Sequence, residues 1–375
     1  MTDPGLGMRS AVPEVTGDPD DDAPWPPPSP PRRHRARKVI VISLAALVLL
    51  IAGTGTAAYL VARHDLGSMR RIGDPFAAIP GSSRPPVPTG TAAQDVTFLV
   101  GGLQTQPPAP AAGGDATGSD TASSQSDRSD TLMLVHLIAG GLGAYVVSIP
   151  PDARVPIPGH GKGSIDTAYP DGGSALMIQT VEHLTNVRVD HFAIIDWAGF
   201  RNLTNSLGGV TVKVPETTYD PPIHVTWPAG AQHFNGTQAL QYITDRHGPP
   251  SGDIGVVQRQ QEYLRALFQQ LHRTGTLANP LAASSVMHSL TAAVSVDNTL
   301  SVTAMLHLAL SLRGLHTSGV VFATAPYLVT GKAGGQSTVR LNQAVDRGFW
   351  HAFEYDSLPA YMQEHGLDPL GVSAP

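Results

Sequence analysis

The longest apolar run in this chain lies near its N terminus and carries no charged residue. It covers the 23 residues from Val39 to Val61, which as a helix would span roughly 34 Å and so match a hydrocarbon core of about 30 Å. A basic segment, Arg32 to Lys38, precedes the run, whereas only Arg63 follows it closely. By the positive-inside rule, this asymmetry places residues 1–38 in the cytoplasm and the rest of the chain outside. The pattern therefore predicts one transmembrane helix over residues 39–61.

The segments on both sides of this run are polar and rich in proline and glycine. Such a composition buries too little apolar area to order the backbone, so residues 1–38 are predicted to be a disordered tail and residues 62–94 an extracellular stalk. A cleaved signal peptide with a cut site near Ala58 is the alternative, but the long polar leader favours a retained anchor. The expected location is the cell membrane, single-pass, with the main domain outside.

Beyond the stalk, short apolar runs alternate with segments of helical spacing. The runs have the length of strands and read DVTFLVGG, DTLMLVHLI, AYVVSIP, HFAIIDW, VTVKVP and GVVFATAPY. Helical spacing occurs in residues 175–186, from about Gly255 onwards, and in a last helix around residues 303–312. Alternating strands and helices predict a layered α/β/α domain with a central mixed sheet, covering residues 95–355 and followed by a C-terminal tail at 356–375.

Two features lie between the first three apolar runs. Residues 103–127 are of low complexity and read as a long surface insertion between the first strand and the second. Gly140 and Gly141 separate the second run from the third, which predicts a hairpin at this point.

Composition excludes several classes of function. The chain has no cysteine, which removes disulfides, thiolate metal sites and cysteine nucleophiles, and a net charge of −6 argues against a nucleic-acid surface. Lysine and arginine total 24, and the lysines among them are only Lys38, Lys162, Lys213 and Lys332. Arginine therefore supplies most of the positive charge, and its planar guanidinium binds phosphate bidentately.

The candidate chemistry lies in charged loops at strand ends. The patterns HExxH, GxxxxGKS/T, GxSxG and GxGxxG are absent, so the commonest enzyme motifs do not apply. What remains is RSDT, SIPPDARVPIPGHGKG and YITDRHGPPSGDIGVVQRQQ, three loop stretches that each combine arginine or lysine with aspartate. In α/β proteins ligands bind where such loops leave the sheet.

These stretches have a functional and an ordinary interpretation. In the functional one, Asp130 holds a divalent cation while Arg128, Arg246 and Arg259 bind phosphate oxygens. The ordinary one is a set of surface ion pairs, which contribute little to stability. His160 and His247 lie beside glycine and proline, and we expect them to be solvated loop residues rather than metal ligands.

Six stretches, taken in order, resemble the signature of one protein family. They are DTLMLVHL, VVSIPPDARVPIPGHG, SIDTAYPDGG, VDHFAIIDWAGFRNLTNSLGGVTVKVP, HFNGTQALQYITDRHG and GDIGVVQRQQEYL, and they are similar to the LytR-CpsA-Psr family of cell-envelope proteins. The resemblance runs from about Asp95 to Tyr327. It implies a membrane-anchored phosphotransferase that moves a glycopolymer from a polyprenyl-pyrophosphate carrier to peptidoglycan, usually with Mg²⁺.

The resemblance also implies roles for individual residues. Arg128 and Asp130 match the strand-opening arginine and the metal-side aspartate of the family, and Asp152 matches the aspartate of its IPRD motif. The charged loop and the helix start that contact substrate phosphate are matched by Arg246, Asp253, Arg259 and Gln260. The implied catalytic residues are Asp130, Arg128, Arg246 and Arg259.

The chain departs from the family pattern at several cationic positions. Pro151, Thr244 and Val256 stand where the family has arginine, and Ser164 replaces a lysine. The aspartate that usually follows the first strand is absent in the region of Leu103. Charge-assisted hydrogen bonds are commonly worth about 1.5–3 kcal/mol each, so these losses weaken a pyrophosphate site. An alternative function is therefore an impaired family member that binds polyprenyl phosphate or scaffolds wall assembly; an unrelated anchored interaction domain leaves the motif order unexplained.

Overall fold

The computed structural model describes six segments of the chain, at residues 63–103, 129–248, 252–273, 280–311, 314–333 and 336–367. The predicted tail and transmembrane helix lie outside these segments, as do Arg128 and nearly all of the predicted insertion at 103–127. Among the helices of the six segments, none combines the length and the apolar character that crossing a membrane requires.

The secondary structure is numbered along the chain. The strands are β1 (Arg70–Ile72), β2 (Val96–Leu103), β3 (Ser129–Ile138), β4 (Gly143–Ile149), β5 (Arg154–Ile157), β6 (Gly161–Ser164), β7 (His191–Asp196), β8 (Val210–Val214), β9 (Thr218–Asp220), β10 (Val225–Trp227), β11 (Gly230–Phe234), β12 (Val294–Asp297), β13 (Val320–Thr324), β14 (Tyr327–Ala333) and β15 (Gln336–Leu341). The helices are α1 (Ala168–Thr185), α2 (Trp197–Ser206), α3 (Gly236–Thr244), α4 (Asp253–Arg273), α5 (Pro280–Ala293), α6 (Val302–Ser311), α7 (Gln343–Glu354) and α8 (Leu358–Glu364).

Seven strands form a central sheet in the order β1-β12-β7-β2-β3-β4-β13. Strand β2 is parallel to β7 and antiparallel to β3, while β13 is parallel to β4. The mixed sheet predicted from the sequence is therefore confirmed. The predicted hairpin is present between β3 and β4, with Gly140 and Gly141 at φ 73° and 71°, a conformation that favours glycine.

Alternate residues of the central strands pack on opposite faces of the sheet. In β2, Leu99 belongs to one hydrophobic core and Val100 to the other, and Leu132 and Met133 divide in the same way in β3. This follows from the two-residue period of a strand. The first core is covered by α1, α7 and α8, and the second by α2 to α6. Helices thus cover both faces of the sheet, as a layered domain requires.

The segment assigned to the stalk contributes to the domain. Within residues 62–94, β1 pairs in parallel with β12 and becomes one end of the central sheet. The Arg71 guanidinium donates to the carbonyl oxygens of Asp297 and Leu300, at 3.1 and 2.5 Å. A three-residue strand is too short to show periodicity, and this long-range pairing fixes it instead.

The C-terminal boundary also differs from the expectation. The helix predicted at 303–312 is present as α6 but is not the last, because α7 and α8 follow it. Leu358 and Met362 of α8 are buried in the first core, so the domain continues past residue 355 into the segment expected to be a tail. The apolar positions of this short helix are too few to predict it from spacing alone.

Most of the predicted site lies along one edge of the central sheet, the edge that is formed by strand ends. Strands β2, β4, β7 and β13 end at this edge, and the antiparallel β3 begins there. Ligand sites of α/β proteins lie outside the carboxyl ends of the strands, so this edge is where a site is expected.

Candidate functional site

The start of β3 places Asp130 at the edge where the other strands end. Leu103, the last residue of β2, pairs with Ser129 on one side and with Asp196 on the other. Asp130 and Asp196 therefore come from the two strands that flank β2 at this edge. Arg128 lies outside the described residues, so its predicted role stays a prediction.

Helix α4 is fixed against the same edge by two glutamines. Thr131 Oγ1 donates to Gln260 Oε1 at 2.6 Å. Gln261 Nε2 donates to Ser148 Oγ at 2.7 Å and to the carbonyl oxygen of Ala323 at 2.6 Å. The helix is thereby held to β3, β4 and β13, and Gln260 stands at the strand edge.

A close contact between Gly102 and Trp197 adds a residue that the sequence did not indicate. A Cβ atom at Gly102 would lie 2.5 Å from Trp197 Nε1 and 2.8 Å from Thr131 Cβ, so only glycine fits this position of β2. Trp197 Nε1 is buried and has no hydrogen-bond partner within the described residues. Trp197 therefore packs directly against the end of β2.

Arg259 is buried, and its described hydrogen bonds are made to backbone carbonyl oxygens. Its Nη2 donates to the carbonyl of Asp245 and its Nη1 to the carbonyl of Gly248 at 3.5 Å. Burial lowers the pKa of Arg259, and the neighbouring Asp245 carboxylate raises it. These contacts brace the loop that follows α3, and they describe a positioning role for Arg259 beside its predicted contact with phosphate.

Arg246 is exposed and lines an open pocket of about 210 Å³ at the end of α3. The pocket is lined by Asp220, Pro222, Ile223, Gln241, Thr244, Asp245, Arg246 and His247. The carbonyl oxygen of Arg246 accepts a hydrogen bond from Gly252 N at 2.8 Å, which ties this loop to the start of α4 at Asp253. The pocket, Arg246 and the N terminus of α4 are therefore neighbours.

Two aspartates and a histidine converge in this pocket. His247 Nδ1 lies 3.7 Å from Asp220 Oδ1 and 3.6 Å from Asp245 Oδ1. Asp245 Oδ1 also accepts from the backbone N–H groups of His247 and Gly248 at 2.8 and 3.3 Å. Burial, and then the charge of Asp245, raise the pKa of Asp220. The sequence did not connect these residues, because Asp220 lies on β9 and the other two follow α3.

Three positions where the family has arginine differ in how far they are buried. Pro151 is buried, and its carbonyl oxygen accepts from Ser164 Oγ at 2.9 Å and from Asp166 N at 3.1 Å. Val256 is only 3% exposed. Thr244 is half-buried and lines the Arg246 pocket. Of these positions, Thr244 is where an added cation would reach the pocket.

The loop after β4 begins at the same edge and contains Asp152, which is half-buried. The carbonyl oxygen of Pro150 accepts a hydrogen bond from Ala153 N at 3.0 Å, which turns the chain around Asp152. Ala153 in turn bridges to Val339, so this turn is held between the sheet and β15. Asp152 and Asp130 therefore leave adjacent strands at one edge.

Comparison with known proteins identifies a family. The sequence profile of the LytR_cpsA_psr family matches residues 111–347, which is more than half of the 375-residue chain. This range includes β3, the Arg246 pocket and α4.

Several curated proteins are similar in sequence. The probable cell wall biosynthesis protein LcpB of Corynebacterium glutamicum is 35% identical over 199 residues, 53% of this chain and 47% of LcpB. The cell wall biosynthesis protein LcpA of the same organism is 30% identical over 262 residues, 62% of this chain and 49% of LcpA. The polyisoprenyl-teichoic acid–peptidoglycan teichoic acid transferase TagV of Bacillus subtilis is 32% identical over 162 residues, 41% of each chain. The chain spans about half the length of the curated relatives it matches.

Solved structures share the fold at lower identity. A LytR-Csp2A-Psr enzyme from Actinomyces oris superposes with a TM-score of 0.58 at 18% identity, over 76% of this chain and 96% of that one. The crystal structure of B. subtilis TagV gives 0.53 at 22% identity, over 71% and 98%. The likeness is one of fold.

Proposed function

The chain belongs to the LytR-CpsA-Psr family, as the match over residues 111–347 shows, and on that premise we propose that it transfers a glycopolymer from a polyprenyl-pyrophosphate carrier to peptidoglycan. In this proposal it is held in the cell membrane by a helix at residues 39–61, with its main domain outside. Its relatives LcpA and LcpB are named for cell wall biosynthesis and TagV for teichoic acid transfer, which supports this class of substrate.

The position of Arg246 is the observation that carries the proposal. Its exposed side chain lines the pocket, and its carbonyl oxygen is bonded to Gly252 beside the first turn of α4. Guanidinium groups and helix N termini both bind phosphate oxygens. The pyrophosphate of the carrier would lie between Arg246 and the start of α4.

Transfer requires little covalent chemistry from the protein. The acceptor hydroxyl oxygen forms a bond to the phosphorus that bears the glycopolymer, its proton is released, and polyprenyl phosphate leaves. The protein supplies positioning and stabilises the charge that develops on the phosphate oxygens. Arg246 supplies a fixed positive charge, and Gln260, held by Thr131, contributes an amide at the strand edge.

In this proposal a magnesium ion at the strand edge would add positive charge at the substrate phosphates. Asp130 is the residue that would hold it, since carboxylate oxygens are the ligands Mg²⁺ prefers. Strand β2 has no acidic residue, but Asp196 lies in register with Leu103 and offers a carboxylate from the neighbouring strand. The donor set would then be Asp130 and Asp196, with Asp196 in place of the aspartate that the family has after its first strand.

The test is release of polyprenyl phosphate from a polyprenyl-pyrophosphate glycan by the full chain in the presence of Mg²⁺. We expect turnover in the wild type and a loss of about 100-fold in Arg246→Ala, comparable to removal of one oxyanion ligand. Arg347→Ala, which removes an exposed arginine on α7, is the matched control and keeps wild-type turnover. Equal turnover in the two variants would contradict the role of Arg246.

A second candidate function is binding of the lipid carrier without transfer. It is favoured by Pro151 and Val256, which are buried and uncharged where the family has arginine. Mass spectrometry of lipids that co-purify with the full chain tests it. Bound polyprenyl phosphate without turnover would support this second function, and absence of both would exclude both.

A further inference from the structure

The pocket beside Arg246 contains a set of side chains with the composition of a transition-metal site. We call Asp220, Asp245 and His247 the open cluster. One ligand atom from each of the three lies within 4.8 Å of the other two. We propose that the open cluster binds a divalent transition-metal ion, for which Zn²⁺ is the best match.

The burial of the two carboxylates is the first argument. Asp220 is 5% exposed and Asp245 is 3% exposed. Buried carboxylates are costly unless they are paired with a cation or fully hydrogen-bonded. Two such groups side by side also repel each other. A cation between them would remove both costs.

The hydrogen-bond partners of these carboxylates are the second, independent argument. Asp220 Oδ1 and Asp245 Oδ2 are both buried, and neither has a hydrogen-bond partner within the described residues. Buried polar atoms are otherwise almost always paired. Arg259 offsets part of the negative charge, but its described hydrogen bonds go to the carbonyl oxygens of Asp245 and Gly248. Both carboxylate atoms therefore remain available to a metal.

The imidazole of His247 is the third donor, and it determines which metal fits. Imidazole and carboxylate donors together suit Zn²⁺, whereas Mg²⁺ and Ca²⁺ favour oxygen ligands alone. His247 Nδ1 lies 3.7 Å from the unpaired Asp220 Oδ1 and 3.6 Å from Asp245 Oδ1, the oxygen of that carboxylate that accepts the two backbone N–H groups. Ligand atoms of a tetrahedral Zn²⁺ site lie about 3.3 Å apart, given metal–ligand distances of about 2.0–2.1 Å. Binding would require the exposed His247 side chain to move closer to the carboxylates, and a tetrahedral ion held by these three side chains would keep one position for a further ligand.

Metal binding by the full chain tests this proposal without any substrate, so its outcome is separate from that of the transferase assay. The protein is purified without a histidine tag, treated with a chelator, and titrated with Zn²⁺ alone by calorimetry. We expect one site that Asp220→Asn and His247→Ala each weaken at least tenfold. Asp220→Asn keeps the shape of the side chain and removes its charge.

His160→Ala is the matched control for binding of Zn²⁺ to surface histidines. His160 Nδ1 lies 4.0 Å from Asp171 Oδ2 and both side chains are exposed, so this pair lacks the buried carboxylates of the open cluster. The control is expected to bind Zn²⁺ as the wild type does. Absence of a stoichiometric site in the wild type, or equal binding by wild type and His247→Ala, would overturn the proposal. Because His247 is 52% exposed, His247→Ala is expected to fold and gives a result even if Asp220→Asn does not.

Discussion

Two clusters in the described segments have the same composition, two aspartates and one histidine, but opposite surroundings. The open cluster lies in the Arg246 pocket. The second, which we call the closed cluster, consists of Asp95, His136 and Asp356 and lies at the other end of the central sheet, where β2 begins and β3 ends. Histidine is 52% exposed in the open cluster and 2% exposed in the closed one.

Several contacts tie the closed cluster to its neighbours, although Asp95 Oδ2, which lies 3.7 Å from His136 Nε2, is buried without a hydrogen-bond partner within the described residues. His136 Nδ1 is 2.9 Å from the hydroxyl of Thr97, and its Nε2 is 3.3 Å from Asp356 Oδ1. Asp95 Oδ1 accepts from Ala139 N at 2.7 Å. These contacts join β2 and β3 to the residues that follow α7. The residue types therefore do not define a ligand site; access does, because His247 is 52% exposed whereas His136 is 2% exposed.

The largest expected effect is on the free energy of unfolding, and it distinguishes the closed cluster from the open cluster. His136→Ala leaves a buried hydroxyl and two carboxylates without their imidazole, and we expect it to lower the free energy of unfolding by about 3 kcal/mol. His247→Ala removes an exposed side chain and is expected to change it by less than about 0.5 kcal/mol. Urea unfolding followed by circular dichroism measures both. Equal losses in the two variants would show that the clusters do not differ in this way.

The next expected effect is on the affinity for an anionic ligand, and it also distinguishes the two clusters. Thr244→Arg adds a cation to the pocket of the open cluster, and we expect inorganic pyrophosphate to bind about tenfold more tightly, since one charge-assisted hydrogen bond is worth about 1.5 kcal/mol or more. The control is Leu142→Arg, which adds the same charge at a residue that is 80% exposed. Leu142 lies three positions after Ala139, which donates a hydrogen bond to Asp95 of the closed cluster, so this variant should leave the affinity unchanged. Calorimetric titration compares the two, and an equal gain in both would point to net charge rather than the pocket.

The smallest effect concerns pH and the closed cluster. Burial lowers the pKa of His136, against the opposing charges of Asp95 and Asp356. Below about pH 6.5 the unfolded chain then binds more protons at this residue than the folded chain, so the free energy of unfolding falls as the pH falls. The raised pKa of Asp356 changes the free energy of unfolding in the opposite direction, because the folded chain binds more protons at this residue than the unfolded chain. This effect lies above the normal aspartate pKa, which is near 4.

We expect His136→Gln to remove up to about 1 kcal/mol per pH unit of this dependence between pH 6.5 and 5.5. Urea unfolding at a series of pH values measures the slope. Thr97→Val keeps the imidazole while removing its hydroxyl partner, and it should retain the wild-type slope. An unchanged slope in His136→Gln would mean that this histidine is not the acid-sensitive group.

Much of the fold could be predicted from the sequence because its signals are local. The strands at β3, β4 and β7 follow from short apolar runs, and the hairpin after β3 follows from Gly140 and Gly141. The strand β1 could not be predicted, since three residues carry no period and Arg71 finds its partners more than 220 positions away.

The candidate site likewise contains some residues that the sequence indicated and others that it did not. Arg246 and Gln260 were indicated by the motifs around them, and the structure places Arg246 in a pocket and Gln260 at the strand edge. Asp220 was missed because it lies 25 positions before Asp245 with no motif that joins them. His247 was expected to be a solvated loop residue; it is exposed, but the expectation did not include the two carboxylates beside it.

The family, the alternation of strands and helices, and the cations that remain in the charged loops can all be recognised from the sequence. These depend on residue order and on local spacing, which a chain carries whether folded or not. The folded protein is needed to show that Arg259 braces a loop from within while Arg246 faces a pocket, and that Asp220 lies near Asp245. Burial and the convergence of distant side chains arise only when the layers pack, so no local pattern records them.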